Sequence, residues 1–461
     1  METKSIDYVA AHERHGRVID QVPFWFVGNF HFFTVAIGFV GPSMGLSFGY
    51  TALAGTLGIL FGTIFAAFHA SQGPQLGLPQ MIQSRAQFGF RGVVLVLIGT
   101  LFTFIGFNVA DSVLIAHGLK SILGWDEKWV SIVALGSGGL LAVYGHDWLH
   151  RIFRWCFVAC LPLYVILTVA IMTHRVPPLH LTLGSFTWVA FIAQFAASAS
   201  YNLSYAPSVS DYSRYLPRRT RPSAIIASVF LGAASSAIWL IILGAWLATR
   251  LGATDGLLAL FTAGNAIYAG FGVVLALAAV TVLVATMGLN AYCGMLTVVT
   301  GLNSWSETPP SSRLRVVTIA MLTGICIVIT SFINENSISL VFAVLNVMLY
   351  LLVPWSSINL VDYFLVRHGR YAITELFTPH GIYGAWAARG LIAYAGGFLA
   401  SLPFVVVPDF YTGPGARALG GVDIGWLVGL VVAAILYFML SRSFDPQSEA
   451  AAIQNSERIL A

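Results

Sequence analysis

The sequence predicts an all-α polytopic membrane protein of about twelve transmembrane helices, and three observations lead there. Only 9% of the 461 residues are charged and 57% are hydrophobic. The mean hydropathy is +0.82, a composition that leaves too little polar surface for a water-soluble protein of this size. Apolar runs of about 20 residues, the length that crosses a bilayer core, recur along the whole chain. With the N-terminus in the cytoplasm, all of the 23 lysines and arginines fall inside except Lys120, Lys128, Arg175, Arg250 and Arg417. That asymmetry follows the positive-inside rule. The net charge of +4 then reports topology, and no basic groove with interleaved aromatics accompanies it, so nucleic acid is not an expected partner.

In chain order, residues 1–23 form a polar tail without a signal-peptide core, expected in the cytoplasm. The spans fall at 24–46, 49–70, 93–118, 129–145, 155–173, 187–209, 223–249, 270–300, 315–334, 337–356, 386–408 and 423–441. Residues 442–461 form a second cytoplasmic tail. Loops are short and no soluble domain interrupts the single transmembrane unit, 24–441, which is expected in the cell (inner or plasma) membrane. Between spans two and three, QMIQSRAQFGFRG looks amphipathic and is expected to lie along the inner membrane surface. Cys156, Cys160, Cys293 and Cys326 all fall within spans and read as small packing residues, with no disulfide framework or metal site. The i, i+4 histidines of HDWLH (146–150) have a metal-like spacing but lack a zincin glutamate.

Two spans are irregular. Span one, WFVGNFHFFTVAIGFVGPSMG, is weakened by Gly28, Gly38, Gly41 and Pro42 and carries Asn29, His31 and Thr34. Span six runs into SYNLSYAPSVSDYSRYLP, where Pro207 removes one N–H and frees a carbonyl near Tyr201–Ser204. The two breaks are five spans apart. They therefore occupy matching places in two five-helix halves, about 24–173 and about 187–356, which an odd span count inverts relative to each other. Paired interrupted helices at corresponding positions point to a transporter's central site. A freed carbonyl in a dry membrane interior must line a cavity or meet an ion.

The intramembrane polar residues are mostly uncharged: Asn29, Thr34, Asn108, Ser204, Tyr205, Thr286, Asn290 and Asn346. Phe30, Phe32 and Phe33 lie beside them on span one, and Phe102, Phe104 and Phe107 on span three. Flat aromatic faces and side-chain amides suit a planar, neutral, hydrogen-bonding heterocycle. Asp111 in span three is open to two readings, proton coupling or a solvated side chain near the mouth. His31 is likewise open between a titrating group and a packing residue. Asp211 and Arg214, at i, i+3, read as a structural or gating pair on the cytoplasmic side.

GPQLGLPQMIQSRAQFGFRG (73–92), SYAPSVSDYSRYLP (204–217) and PWSSINLVDYFLVRHGRY (354–371) resemble signatures of the nucleobase–cation symporter family, in its purine–cytosine permease group. The resemblance runs from about Val22 to Met439. It implies a LeuT-like fold: a 5+5 inverted repeat, discontinuous helices 1 and 6, two extra helices at about 386–441, and cation-coupled alternating access. It also implies a substrate stacked between aromatics of spans three and six, here Phe104 and Tyr205 where the family usually has tryptophan. Phe33 and Thr34 of the span-one turn, with Asn290 on span eight, are implied as further substrate contacts. Asn108 and Ser204 assist in the same reading. The implied cation site uses the backbone of Gly28 and His31 with Thr286. Ala285 and Met287 add no side-chain oxygen, and a hard cation prefers about five or six.

The function expected is therefore a symporter that imports cytosine, a purine or a related planar N-heterocycle, driven by H+ or Na+ and needing no organic cofactor. A same-fold carrier of amino acids or amines and a passive channel are the alternatives. No nucleophile–base pair, phosphate loop or metal cluster suggests an enzyme.

Overall fold

A computed structural model describes residues 6–178, 186–306, 311–333, 337–407 and 410–460. The side chains of His146, Asp147 and His150 lie outside that description, and the metal-like spacing of HDWLH with them. Span one is a bent pair, α1 (Gln21–Gly28) and α2 (Phe32–Ile37). Then follow α3 (Phe48–Ala70), α4 (Val94–Leu123), α5 (Glu127–Tyr144) and α6 (His146–Met172). Span six is α7 (Trp188–Leu203) and the short α8 (Val209–Ser213). The second half continues with α9 (Pro222–Arg250), α10 (Gly256–Ile267), α11 (Phe271–Asn303), α12 (Ser312–Ser331) and α13 (Ser337–Val361). A peripheral pair, α14 (Ala388–Ser401) and α15 (Gly425–Leu440), precedes the terminal α16 (Ala450–Leu460).

Local chemistry explains many of the ends. The side chains of Asp126, Thr187, Asp255 and Ser311 accept the backbone N–H three residues on and so cap α5, α7, α10 and α12. Pro222 opens α9 at a position that needs no N–H. Among the described residues, seven helices are long and apolar enough to cross a membrane, and the bent pair Val18–Gly28 and Phe32–Ser43 makes an eighth. The four other expected spans fall on α5, α7–α8, α14 and α15, helices that are shorter or more polar. Large apolar side chains point outward, Ile98 at 64% exposure and Leu231 at 61%, while Asn29, Thr34 and Asn202 are sealed at 0%. That inversion is what lipid as solvent requires.

Three features depart from the expected outline. The twelve-residue α10 follows α9 where a short loop was expected. The eleventh span is helical only to Ser401; a 3-10 turn and the hairpin Val406–Val407 with Tyr411–Thr412 follow it. The tenth helix runs on beyond residue 356 to Val361 and ends in a π-turn, Asp362–Val366.

Helices α1, α2, α3, α7 and α9 pack as one bundle, and α4, α5, α11 and α12 as a second, with α13 against both α4 and α7. Lipid tails are as apolar as leucine, so these contacts draw on close van der Waals approach. Gly58 and Gly62 permit it: a methyl group at Gly62 would lie 2.1 Å from the Ala199 carbonyl oxygen, and at Gly58 2.3 Å from that of Phe195. Gly62→Val is therefore expected to destabilise the protein by about 1–3 kcal/mol through overpacking. Thermal unfolding of the detergent-purified variant checks this, and an unchanged midpoint would mean that α3 and α7 separate without cost.

Both tails dock on one face of the bundle. From the N-terminal tail, Arg14 Nη1 donates to Pro74 O at 2.6 Å, and Asp7 O accepts from Arg214 Nη1 at 3.2 Å. Arg214 Nε also donates to the carbonyl of Asp211, whose carboxylate accepts from Gln80 N at 2.9 Å. From the C-terminal tail, Glu449 meets Arg367 Nη2 at 3.0 Å, and Arg367 Nη1 meets Asp362 at 2.5 Å.

QMIQSRAQFGFRG does not lie on a membrane surface. Gln80 through Phe88 are all buried, because their amides find partners inside the protein. Ser210 Oγ donates to Gln80, Gln80 to Gln72, Gln72 to Asn359, Asn359 to Gln87, and Gln87 to Asp362. This chain ties α8 to the end of α13. Arg85 is enclosed at 0% exposure, 4.1 Å over the Phe90 ring, and donates to Leu376 O and Asn303 Oδ1. Burial lowers its pKa to about 10, which leaves it charged at neutral pH.

Candidate functional site

The break in span one is short and held by side chains. Asn29 closes α1 in a helical conformation, and His31, extended at φ −144° and ψ 166°, starts α2 in a new direction. The two segments meet at 61°. Among the carbonyls released there, Gly28 O accepts the Tyr205 hydroxyl at 2.8 Å and Asn29 O accepts Thr34 Oγ1 at 2.7 Å. His31 O accepts Thr34 N at 3.1 Å. In span six, Pro207 has no N–H to offer Leu203 O, so Ala206 N closes a tighter turn on it at 2.9 Å. Ser204 Oγ donates to Tyr201 O at 2.5 Å. The two breaks are joined directly: Asn29 Nδ2 donates to Asn202 Oδ1 at 3.0 Å and to Ala233 O at 2.8 Å.

Above this joint sits an aromatic cluster drawn from three helices. Phe33 and Tyr201 lie nearly parallel, centroids 5.8 Å apart and 26° between planes. Phe107 meets Phe33 edge-on at 5.3 Å and Tyr201 at 6.3 Å. The Tyr201 hydroxyl is 2.7 Å from Thr34 Oγ1 and 3.0 Å from His31 Nε2. Proton bookkeeping fixes the roles. Thr34 spends its hydrogen on Asn29 O, so Tyr201 donates to Thr34 and accepts from His31 Nε2–H. In that tautomer His31 Nδ1 is the acceptor nitrogen, and it has no hydrogen-bond partner among the described residues.

Four buried polar atoms around the joint have no hydrogen-bond partner among the described residues: Asn29 Oδ1, His31 Nδ1, Asn108 Oδ1 and Asp111 Oδ1. All four are acceptors. Native interiors rarely leave such groups unsatisfied, and a cluster short of donors suits a ligand that brings N–H groups or a proton.

Helix α4 presents Phe104, Phe107, Asn108 and Asp111 at i, i+3, i+4 and i+7, one continuous face. Asp111 is 1% exposed, so it is no solvated mouth residue, and it lies close enough to Tyr201 and Tyr205 to act on both electrostatically. On α11, Thr286 and Asn290 share a face at i, i+4. Asn290 is half-buried and has no hydrogen bond among the described residues, whereas Thr286 Oγ1 turns back onto Val282 O at 3.1 Å.

The structure thus brings together Phe33, Thr34, His31 and Gly28, with Tyr205 one turn from Tyr201 and bonded to the span-one break. Phe104 sits apart from this group. It packs with Ala142, Leu149, Ala291 and Cys293 and lines a throat with Pro207, Ser208 and Asp211. That throat encloses about 10 Å³, barely the volume of one water, on the face that carries the tails. Sequence reasoning passed over Phe107 and Tyr201 as stacking partners. Their signal was present: Phe107 is one turn from Phe104, and Tyr201 is i−4 to Tyr205. Of the cation oxygens expected at Gly28, His31 and Thr286, the two carbonyls each accept one hydrogen bond and Thr286 Oγ1 donates one to Val282 O, so all three keep a lone pair. With Ala285 and Met287 as neighbours on α11, the set is short of what a hard cation prefers.

A family profile described as "Permease for cytosine/purines, uracil, thiamine, allantoin" matches residues 8–429. The chain is 35% identical over 448 residues to a putative purine-cytosine permease, YxlA of Bacillus subtilis, covering 96% of both proteins. It is 24% identical to the purine-cytosine permease FCY2 of Saccharomyces cerevisiae over 53% of this chain and 47% of that one. Among solved structures it superposes on Mhp1, a nucleobase-cation-symport-1 family transporter in a closed conformation with bromovinylhydantoin bound. The TM-score is 0.75 at 18% identity, over 99% of each chain, a likeness that establishes the fold.

Proposed function

The chain belongs to the family of permeases for cytosine, purines, uracil, thiamine and allantoin, the nucleobase–cation symporters, and from this membership we propose that it imports a nucleobase by secondary active transport. It is an integral membrane transporter and not an enzyme. The substrate is cytosine, a purine or a closely related planar N-heterocycle, and a gradient of H+ or Na+ drives its uptake across the cell membrane. Both tails then face the cytoplasm, twelve spans cross the bilayer, and the ten helices up to about residue 356 form two inverted five-helix halves.

One observation carries this reading: an aromatic cluster of Phe33, Phe107 and Tyr201 at the joint of two broken helices, ringed by orphaned acceptors. A nucleobase matches both parts. Its π-face stacks on the rings, and its ring N–H and exocyclic amine supply the donors that Asn108, Asn29 and His31 lack. Asn290, half-buried and unpaired among the described residues, completes the edge recognition from α11. Tyr205 and Ser204 hold the span-six turn in register with Gly28. Phe104 lines a narrow pocket with Ile6 of the N-terminal tail, one turn from Phe107, and in this reading it acts in release rather than in stacking.

The test is uptake of labelled cytosine and adenine by proteoliposomes containing the full chain, with unlabelled bases, amino acids and quaternary amines as competitors. Competition by bases alone, and loss of accumulation when ion gradients collapse, are the expected results. Competition by amino acids, or uptake indifferent to both gradients, would overturn the reading. Asn290→Ala is expected to weaken substrate binding by about 1–3 kcal/mol, the usual loss when a buried polar partner is removed. Uptake with unchanged KM would take Asn290 out of the site.

A further inference from the structure

We infer that Asp111 is the group that carries the coupling ion, which is a proton. The inference rests on the symport reading above and names its ion and its carrier.

The carboxyl of Asp111 is 1% exposed, and its Oδ1 has no hydrogen-bond partner among the described residues. Among the described residues no countercharge offsets it. From the α1–α2 break the titratable side chain is His31, which spends its Nε2 on Tyr201. From α7 and the turn after it, Tyr201 and Tyr205 lie close enough to feel its charge. Helices α5, α10, α11, α12 and α13 also pack on α4, and burial alone acts on the carboxyl, with no lysine, arginine or histidine among the described residues influencing it. An isolated carboxylate in a dry membrane interior is costly, and such a residue marks an ion or proton path.

The position couples that cost to the transport cycle. Asp111 lies one helical turn beyond Phe107, and Phe107 touches both Phe33 and Tyr201. While the site is open to water the carboxylate is hydrated and takes up a proton from that side. When substrate draws the rings together, water leaves and only the neutral acid fits the closed site. The bound proton also turns one of four orphaned acceptors into a donor, which relieves the shortage noted above. Opening towards the other face readmits water, and the carboxyl releases the proton there. Substrate and proton therefore cross together. The alternative carrier, sodium at Gly28, His31 and Thr286, finds three oxygens there, fewer than the roughly five or six that a hard cation prefers.

The experiment uses purified full-length protein in proteoliposomes with labelled cytosine or adenine. An inside-alkaline gradient of one pH unit should concentrate substrate up to about tenfold for one proton per cycle. A sodium gradient at equal pH should give none. Asp111→Asn, a permanently neutral isostere, should lose accumulation under the pH gradient while still exchanging labelled for unlabelled base. Asp111→Glu should keep accumulation with a displaced pH profile. Gradient-driven accumulation by Asp111→Asn, or stimulation of the wild type by sodium alone, overturns the proposal. Should Asp111→Asn fail to exchange, the proposal stands or falls on the wild-type ion dependence and the pH profile of Asp111→Glu. A wild type that exchanges neither base refutes the nucleobase reading itself, a different failure from that of the proton carrier.

Discussion

Arg367→Ala is expected to lower the stability of the folded protein by about 3–5 kcal/mol, the cost of breaking a buried ion pair from one side. Asp362 is 0% exposed at the π-turn that ends α13. It collects Arg367 Nη1, the hydroxyls of Tyr371 and Tyr437 at 2.8 and 2.7 Å, and Gln87 Nε2 at 2.6 Å. Removing the guanidinium leaves that carboxylate buried with neutral donors only. It also releases Glu449 and with it the anchor of the C-terminal tail. Thermal unfolding in detergent reads the loss, and adding Asp362→Asn should recover part of it by removing the stranded charge. A midpoint that does not move would show that the triad adds nothing to the fold. Glu449→Gln should cost less, since Arg367 keeps Asp362.

Phe107→Ala is expected to weaken nucleobase binding by about 1–3 kcal/mol, the scale seen when an aromatic that stacks a base is removed. Phe104→Ala should leave equilibrium affinity nearly intact and change the rate of transport instead, because its ring lies in the throat and not in the cluster. Binding by calorimetry or tryptophan quenching, beside initial uptake rates, separates the two. The reverse pattern, with affinity lost at Phe104 and kept at Phe107, would move the stacking slot one turn towards the tails.

Much of this was legible in the sequence. Hydropathy alone marked the solvent, and the glycines and Pro42 of span one with Pro207 of span six marked the two breaks within a few residues. Local rules suffice there because a missing N–H or side chain acts on the backbone of its own helix. The site was legible only to the nearest turn. Phe104 and Phe107 are both phenylalanines on one face of α4, and nothing local tells which meets Tyr201. The glutamine-rich segment 80–88 misled for a related reason. Its amides read as a polar surface until Asn359 and Asp362, 272 and 275 positions beyond Gln87, supply partners.

The chain by itself determined the solvent, the helices and where two of them must break, since these depend on composition and on residues within one turn. The tertiary structure decided which ring stacks on which, which carboxylate is paired and which is left alone. Asp362 and Asp111 are both aspartates on membrane helices. One is matched by an arginine five residues on and by donors from three other segments, and the other has no charged partner among the described residues. A buried charge is set by what surrounds it in space, and in this protein those surroundings arrive from remote parts of the chain.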